Sequence, residues 1–340
     1  MTTTRILNDL ALPKILFKKY NSIGVLVDEN TRRYCYPKVK DQLPNHHVFE
    51  VQGGEERKNL ETCKLLWQQF TDAHLDRHSL LLVLGGGVLG DLGGFCAATF
   101  KRGMDFCLLP TTLLSMADAS IGGKTGVDFG TLKNHIGTFA MPTATWIYPN
   151  FLKTLPEAEL RSGFAEVIKH SLISDQKMWE TIRRKSLQQQ DWTKLIRHSV
   201  GFKSTVVKKD PLEDGVRKIL NYGHTVGHAL EGYYLNSNKR LLHGEAIAAG
   251  MVIEAQIAFL KKLLKASDMT AIAKYILSIF GKIDIPPTEK LLPAVSQDKK
   301  NRGKEILMAL PNPIGKARWD IPVSEREIRR AIAYYRAIQT

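Results

Sequence analysis

Residues 79–100, SLLLVLGGGVLGDLGGFCAATF, constrain the fold more than any other stretch. A run of leucine and valine with no alternating polar positions reads as a strand covered on both faces, as the strands of parallel sheets are. It passes through Gly85, Gly86 and Gly87 into a helix studded with Gly90, Gly93 and Gly94. A turn without side chains between strand and helix lets an anion approach backbone N–H groups at the helix N-terminus. The spacing GGGxxGDxxG is not the GxGxxG dinucleotide fingerprint, so the glycines point either to a nucleotide phosphate or to close packing of the helix on its sheet.

The flanking chain repeats the rhythm. IGVLVD at 23–28, HHVFEV at 46–51, MDFCLLP at 104–110 and ATWIYP at 144–149 read as strands, and GGEERKNLETCKLLWQQF pairs a turn with an amphipathic helix. Strands alternating with helices predict an α/β domain over residues 1–150. Past Pro149 the pattern changes to long amphipathic segments at 157–173, 176–187, 192–208, 244–264 and 266–280, which predict a helical domain over 151–340.

A chain of 340 residues has room for two such domains. The formal charge of +14 raises the possibility of nucleic acid, yet Lys and Arg are scattered among acids and no block reaches five like charges. A small, multiply anionic substrate explains the cations better, so no nucleic-acid partner is expected. With no long apolar run and no secretory-type N-terminus, no membrane partner is expected, and a cytoplasmic location is. Cys35, Cys63, Cys96 and Cys107 form no CxxC pair and read as reduced, buried thiols.

The chemistry gathers in RKILNYGHTVGHALE at 217–231 and LHGEA at 242–246. His224 and His228 are one helical turn apart on one face, and His243 adds a third imidazole, a set that suits a divalent metal; an HxxxH pair also arises on ordinary helices. In SGFAEVIKHSL, Glu166, Lys169 and His170 fall on a helix whose other residues are mostly apolar, which makes Glu166 the candidate carboxylate ligand rather than half of a surface pair with Lys169. Asp118, Lys124, Lys133 and Asn134 lie in a glycine-broken stretch after Thr111 and Thr112, where polar groups on irregular backbone suggest a site. Asp28, ending a strand, is placed to accept from a ribose hydroxyl or to serve as a turn residue.

In order and in spacing, GGEERK, GGGVLGDLGGFCAATFKRG, LPTTLLSMADASIGGKTGVD, LKNHIG, SGFAEVIKH, LNYGHTVGHALE, LHGEAIAAGM and SQDKK resemble the 3-dehydroquinate synthases over about residues 23–318. The resemblance implies a Rossmann-like parallel sheet binding NAD, an all-α C-terminal domain holding a divalent metal, Zn2+ or else Co2+, and a homodimer. It implies conversion of 3-deoxy-D-arabino-heptulosonate 7-phosphate to 3-dehydroquinate and phosphate, through transient oxidation, loss of phosphate, reduction, ring opening and an intramolecular aldol. The metal ligands it implies are Glu166, His224 and His243, which leaves His228 to face the substrate. The NAD contacts it implies are Asp28, Glu55, Lys58, Gly87, Val88, Asp91, Thr111, Thr112, Lys124, Lys133 and Thr154. For the substrate it implies Asp118, Lys124, Asn134, Lys169, Lys203, Arg217, Asn221, His228 and Lys299 or Lys300, with Arg102 reaching the phosphate site of a neighbouring subunit. No β-hairpin precedes Ile23 as it does in the family, so an altered sheet edge is expected. The competing readings are another sugar phosphate cyclase such as 2-deoxy-scyllo-inosose synthase, a metal-dependent polyol dehydrogenase, and a basic nucleic-acid-binding module.

Overall fold

The computed structural model describes residues 3–130, 132–235, 239–296 and 305–339. The chain divides into two compact units, Met1–Pro156 and Glu157–Thr340.

The first unit is α/β. In order it comprises β1 (Thr3–Ile6), α1 (Lys14–Phe17), β2 (Ile23–Asp28), α2 (Glu29–Tyr34), α3 (Tyr36–Val39), β3 (His47–Val51), α4 (Leu60–Asp72), β4 (Leu80–Gly85), α5 (Gly87–Thr99), β5 (Asp105–Pro110), β6 (Lys124–Phe129), β7 (Leu132–Phe139) and β8 (Ala144–Ile147). Six strands form one sheet in the order β1-β8-β5-β4-β2-β3, and every pairing in it is parallel. All six residues of β4 are buried, as its unbroken apolar run predicts for a central strand covered on both faces. The sheet edge beyond β8 is filled by Thr3–Ile6, which pairs residue for residue with Ala144–Ile147. That short polar strand has no periodicity from which to read it.

The sheet's direction of winding reverses between β2 and β4: β2 leads outward to β3 on one side, while β4 leads to β5 on the other. Crevices for ligands form at such a switch point, outside the C-terminal ends of the strands. The glycines of α5 divide their work accordingly. A Cβ on Gly93 would lie 2.8 Å from side-chain atoms of Leu26 and Val83, and one on Gly94 would lie 2.6 Å from Thr125 Cγ2, so these two let the helix sit directly on the sheet and on β6. A Cβ on Gly90 would meet nothing within 4 Å. Packing therefore explains the later glycines and leaves the earlier ones to the crevice. The hairpin β6/β7, which lies in the stretch read as irregular, is antiparallel and packs on α5.

The second unit is built from α6 (Glu157–Ser174), α7 (Gln176–Ile182), α8 (Trp192–Lys209), α9 (His224–Tyr234), α10 (His243–Leu260), α11 (Ala266–Phe280), α12 (Thr288–Ser296) and α13 (Glu325–Ala337). It also carries one antiparallel ladder, β9 (Ile306–Pro311) with β10 (Ala317–Val323), which the helical pattern of the second half does not announce. Helix α10 is its axis. Fourteen of its eighteen residues are buried, and it packs against α6, α9, α11 and α13. Such a helix is apolar all round because it has no solvent face.

Substituting Gly93→Val should overpack the seat of α5 on β2 and β4 and destabilise the first unit by about 1–3 kcal/mol. Thermal unfolding followed by circular dichroism should register a lower midpoint, whereas Gly90→Ala should leave the midpoint close to that of the unsubstituted chain.

Candidate active site

The first unit gathers one set of polar groups at its switch point. Leu26 pairs with Val83, which brings Asp28 at the end of β2 level with Gly85 at the end of β4. Asp28 is also the N-cap of α2: its Oδ1 accepts from Thr31 N at 2.7 Å, while Thr31 Oγ1 accepts from Asp28 N at 2.9 Å. The turn reading and the site reading of Asp28 thus coexist. Gly87 and Val88 open α5, whose N-cap Gly86 offers no side chain of its own. Thr112 flanks the turn, since a Cβ on Gly86 would lie 2.8 Å from its Cγ2; Thr111 N donates to Gly85 O at 3.0 Å.

Lys58 is the hub of this set. Although 4% exposed, it donates to Asp91 Oδ2 at 2.6 Å and to Asn134 Oδ1. Lys133 lies 3.7 Å from Glu55, and the backbone N–H of Asn134 donates to Asp128 Oδ1 at 2.7 Å. Burial opposes the charge on Lys58, but the carboxylates of Asp91, Glu55 and Asp128 outweigh it and hold its pKa above the ordinary lysine value. The GGEERK turn, α5 and the hairpin thereby meet on one ammonium group. Lys124 and Asp91 line a shared concavity with Gly87 and Gly90.

Asp118 lies in the π-helical turn Ser115–Ala119, which packs against α5. The exposed Thr154 bonds to Phe151 O at 3.2 Å within its own turn. Arg102 lies beyond the far end of α5, about 20 Å from Gly87 by the rise of thirteen helical residues.

The second unit gathers the other set. Glu166 on α6, His224 at the start of α9 and His243 at the start of α10 place ligand atoms within 4.8 Å of one another. Glu166 Oε1 lies 3.5 Å from Nε2 of each histidine. Glu166 is 1% exposed and forms an ion pair with the equally buried Lys169. Each imidazole is oriented from behind: His224 Nδ1 bonds to Tyr222 O at 3.1 Å, and His243 Nδ1 faces Glu231 Oε2 at 3.4 Å. Those contacts turn both Nε2 atoms toward Glu166, the arrangement by which metal-binding histidines are usually held. Two imidazole nitrogens and a carboxylate oxygen suit zinc or a similar ion, with a coordination position left for substrate.

The electrostatics agree with that donor set. Burial, reinforced by the Lys169 ammonium, keeps His224 well below the ordinary imidazole pKa, so its ring is neutral. Burial also opposes charge on His243, yet its bonds to Glu166 and Glu231 prevail and push its pKa up to about 10. The pocket therefore favours positive charge between those carboxylates. His228 is exposed, its ring centroid 5.0 Å from that of His224 and 6.3 Å from that of His243.

Cationic and amide groups follow from neighbouring segments. Lys203, 7% exposed, projects from α8; Arg217, 2% exposed, and Asn221 belong to the turn Val216–Asn221, which packs against α6 and α8. Asp210 shapes that turn by accepting from Gly215 N at 2.8 Å and Arg217 N at 2.9 Å. Lys299 and Lys300 lie outside the described residues. Sequence reasoning missed Glu231 behind His243 and Glu213, whose Oε1 accepts from Asn221 Nδ2 at 2.7 Å. Glu213 falls in a polar stretch with no marked spacing; Glu231, one turn beyond His228 on the same helix, could have been found by extending the i, i+3 argument by one step.

Fold and side-chain sets together define the architecture of the sugar phosphate cyclases. A 2-epi-5-epi-valiolone synthase from Streptomyces hygroscopicus, solved with NAD+ and Zn2+ bound, superposes with a TM-score of 0.88 at 26% identity, covering 99% of this chain and 97% of that one. A 2-deoxy-scyllo-inosose synthase complexed with carbaglucose-6-phosphate, NAD+ and Co2+ gives 0.82 at 25% identity, covering 95% and 92%. Within that architecture the chain belongs to the 3-dehydroquinate synthase family: residues 48–162 match its N-terminal part and residues 163–301 its C-terminal part. The 3-dehydroquinate synthase of Parabacteroides distasonis is 34% identical over 325 residues, 94% of this chain and 92% of that protein.

The approach of α10 to α6 rests on Gly244, where a Cβ would lie 2.0 Å from Ser162 O. Gly244→Ala should push His243 away from Glu166 and weaken zinc binding by at least tenfold, a loss that competition with a chromophoric chelator would measure.

Proposed function

We propose that the chain is a 3-dehydroquinate synthase that releases phosphate from 3-deoxy-D-arabino-heptulosonate 7-phosphate, with NAD and one divalent metal ion as cofactors. The observation that carries the reading is the convergence of Glu166, His224 and His243 from three helices, in a chain whose family membership spans both units. Glu166, His224 and His243 would hold the ion. Asp28, Glu55, Lys58, Gly87, Val88, Asp91, Thr111, Thr112, Lys124, Lys133 and Thr154 would bind the dinucleotide. The chemistry supplied from outside the polypeptide is Lewis acidity at a substrate alcohol from the ion and reversible oxidation of that carbon from the dinucleotide.

The chain's own side chains do the rest. His228, exposed beside the two half-buried imidazoles, takes the alcohol proton. Arg217 and Lys203 hold the substrate carboxylate, a planar fork beside a point charge. Lys169, paired with Glu166, presents a fixed positive charge to the same region. Asp118, Asn134, Asn221 and either Lys299 or Lys300 would complete the substrate contacts. A carboxylate-bearing substrate makes use of the buried cations Arg217 and Lys203, which supports this substrate over the neutral-headed sugars of sister cyclases.

Arg102 lies at the end of α5 remote from its own glycine turn, and this supports a homodimer in which it meets an anion bound by the second copy. No helix among the described residues is long and apolar enough to cross a membrane, in keeping with an enzyme at work in the cytoplasm.

Incubated with NAD+, zinc and the heptulosonate 7-phosphate, the purified protein should release phosphate without accumulating NADH. Release from glucose 6-phosphate or sedoheptulose 7-phosphate instead would overturn the assignment in favour of a sister cyclase. Under the same conditions His224→Ala should lose both zinc and activity. His228→Ala should retain zinc while turnover falls by about 10²–10⁴-fold, the range for loss of a general base.

A further inference from the structure

Glu254 lies in the middle of α10 with 0% of its surface exposed, on a helix whose neighbouring positions are apolar. A buried carboxylate is costly unless its oxygens meet donors. Here they meet backbone. Glu254 Oε2 accepts from Gly223 N at 2.6 Å, and Oε1 accepts from Val226 N at 3.0 Å. Those groups are the N-cap and third N–H of α9, donors that no turn of the helix itself can satisfy.

The reason for so unusual a cap is local. Helix N-termini are ordinarily capped by the side chain of the N-cap residue, but here that residue is Gly223. Its φ of +81° favours glycine, and a Cβ would lie 2.6 Å from Met251 Cγ and 3.1 Å from Ile247 O. No capping side chain fits at Gly223, and the neighbouring helix supplies one. The negative charge also complements the positive end of the α9 dipole.

We propose that Glu254 is a positioning residue: from within α10 its carboxylate fixes the turn Tyr222–Gly223–His224 and thereby aims the His224 imidazole at Glu166. The same turn is held on its other side by Tyr222, whose hydroxyl donates to Met251 O at 2.8 Å and whose carbonyl accepts from His224 Nδ1. His224 is the first residue of α9, so any swing of the helix start moves its Nε2 directly. Glu254 touches neither the ion nor the substrate; it acts through backbone. The inference rests on the metal role proposed for His224.

Glu254→Gln keeps the shape but leaves one oxygen acceptor for two donors and turns an NH2 group toward the other. Zinc affinity, measured by chelator competition, should fall about 10–100-fold, as for other residues that orient a ligand, and the visible bands of the Co2+-substituted protein should shift. Ile332→Val, a truncation in α13, controls for stability alone: it should lower the unfolding midpoint with zinc affinity and Co2+ bands unchanged. Wild-type affinity and bands in Glu254→Gln would overturn the proposal, whatever its unfolding temperature. Should that variant fail to fold, Glu254→Asp, which keeps the charge but is one methylene shorter, must show the same loss and shift, and wild-type values there would overturn it too. If the unsubstituted chain holds zinc no better than His224→Ala, the metal reading itself fails. Labelled-histidine NMR of the metal-free protein then still decides Glu254: the hydrogen-bonded His224 Nδ1–H signal should disappear in Glu254→Gln, and its survival would refute the role.

Discussion

The second unit depends on backbone touching backbone where three helices meet. A Cβ on Gly244 would lie 2.0 Å from Ser162 O, one on Gly250 would lie 2.0 Å from Gly223 O, and one on Gly227 would lie 3.1 Å from Ile247 Cα. Ordinary helix pairs are held 8–10 Å apart by their side chains. Removing the side chains at the crossings brings α6, α9 and α10 close enough for Glu166 Oε1 to stand 3.5 Å from both imidazoles. Close approach also lets several buried polar groups find partners in protein. Glu166 pairs with Lys169, Tyr222 with Met251 O, and Gly244 N with Ser162 Oγ at 2.9 Å.

The first unit solves a different problem by different means. A dinucleotide is long and is bound along an edge, so its contacts come from the ends of several strands rather than from a point of convergence. Glycine acts there in two ways on one helix: Gly93 and Gly94 lower α5 onto the sheet, while Gly86, Gly87 and Gly90 keep its start unobstructed. Lys58 then ties three separate segments together, and because its partners are carboxylates and an amide, it stays charged though buried.

Legibility followed from how far each feature depends on neighbours in sequence. The central strands and the long helices were readable because burial imposes an unbroken apolar run on β4 and an amphipathic period on α8 or α11. The hairpin β6/β7 was not, since Gly126 and Gly137 face each other where a side chain would collide with the opposite backbone, and so the alternation expected of strands is broken there. The ladder β9/β10 was missed because ILMALP has no period to separate it from a buried helical segment. Glu166, His224 and His243 were legible as chemistry, yet the HxxxH spacing pointed first to His224 with His228. Spacing shows which side chains share a face, not which atom a third helix brings opposite them. Glu231 and Glu254 escaped for the same reason, their partners being an imidazole on another helix and two backbone N–H groups.

That limit bears on how one residue type serves two tasks within a few ångströms. Three imidazoles lie with centroids 5.0–6.3 Å apart, yet their surroundings differ. The differences come from what stands behind each ring. His224 has a carbonyl behind it that orients the ring, while burial and then a nearby ammonium keep it neutral, with Nε2 toward Glu166. His243 has carboxylates on both sides, which favour positive charge at its position. His228 has solvent. A ligand must keep its lone pair for the ion, whereas a proton acceptor must be reachable by the group that gives up the proton, and only the exposed ring meets the second condition. On the proposed roles, the division between holding an ion and accepting a proton follows from second contacts and access, with the same side chain in every position.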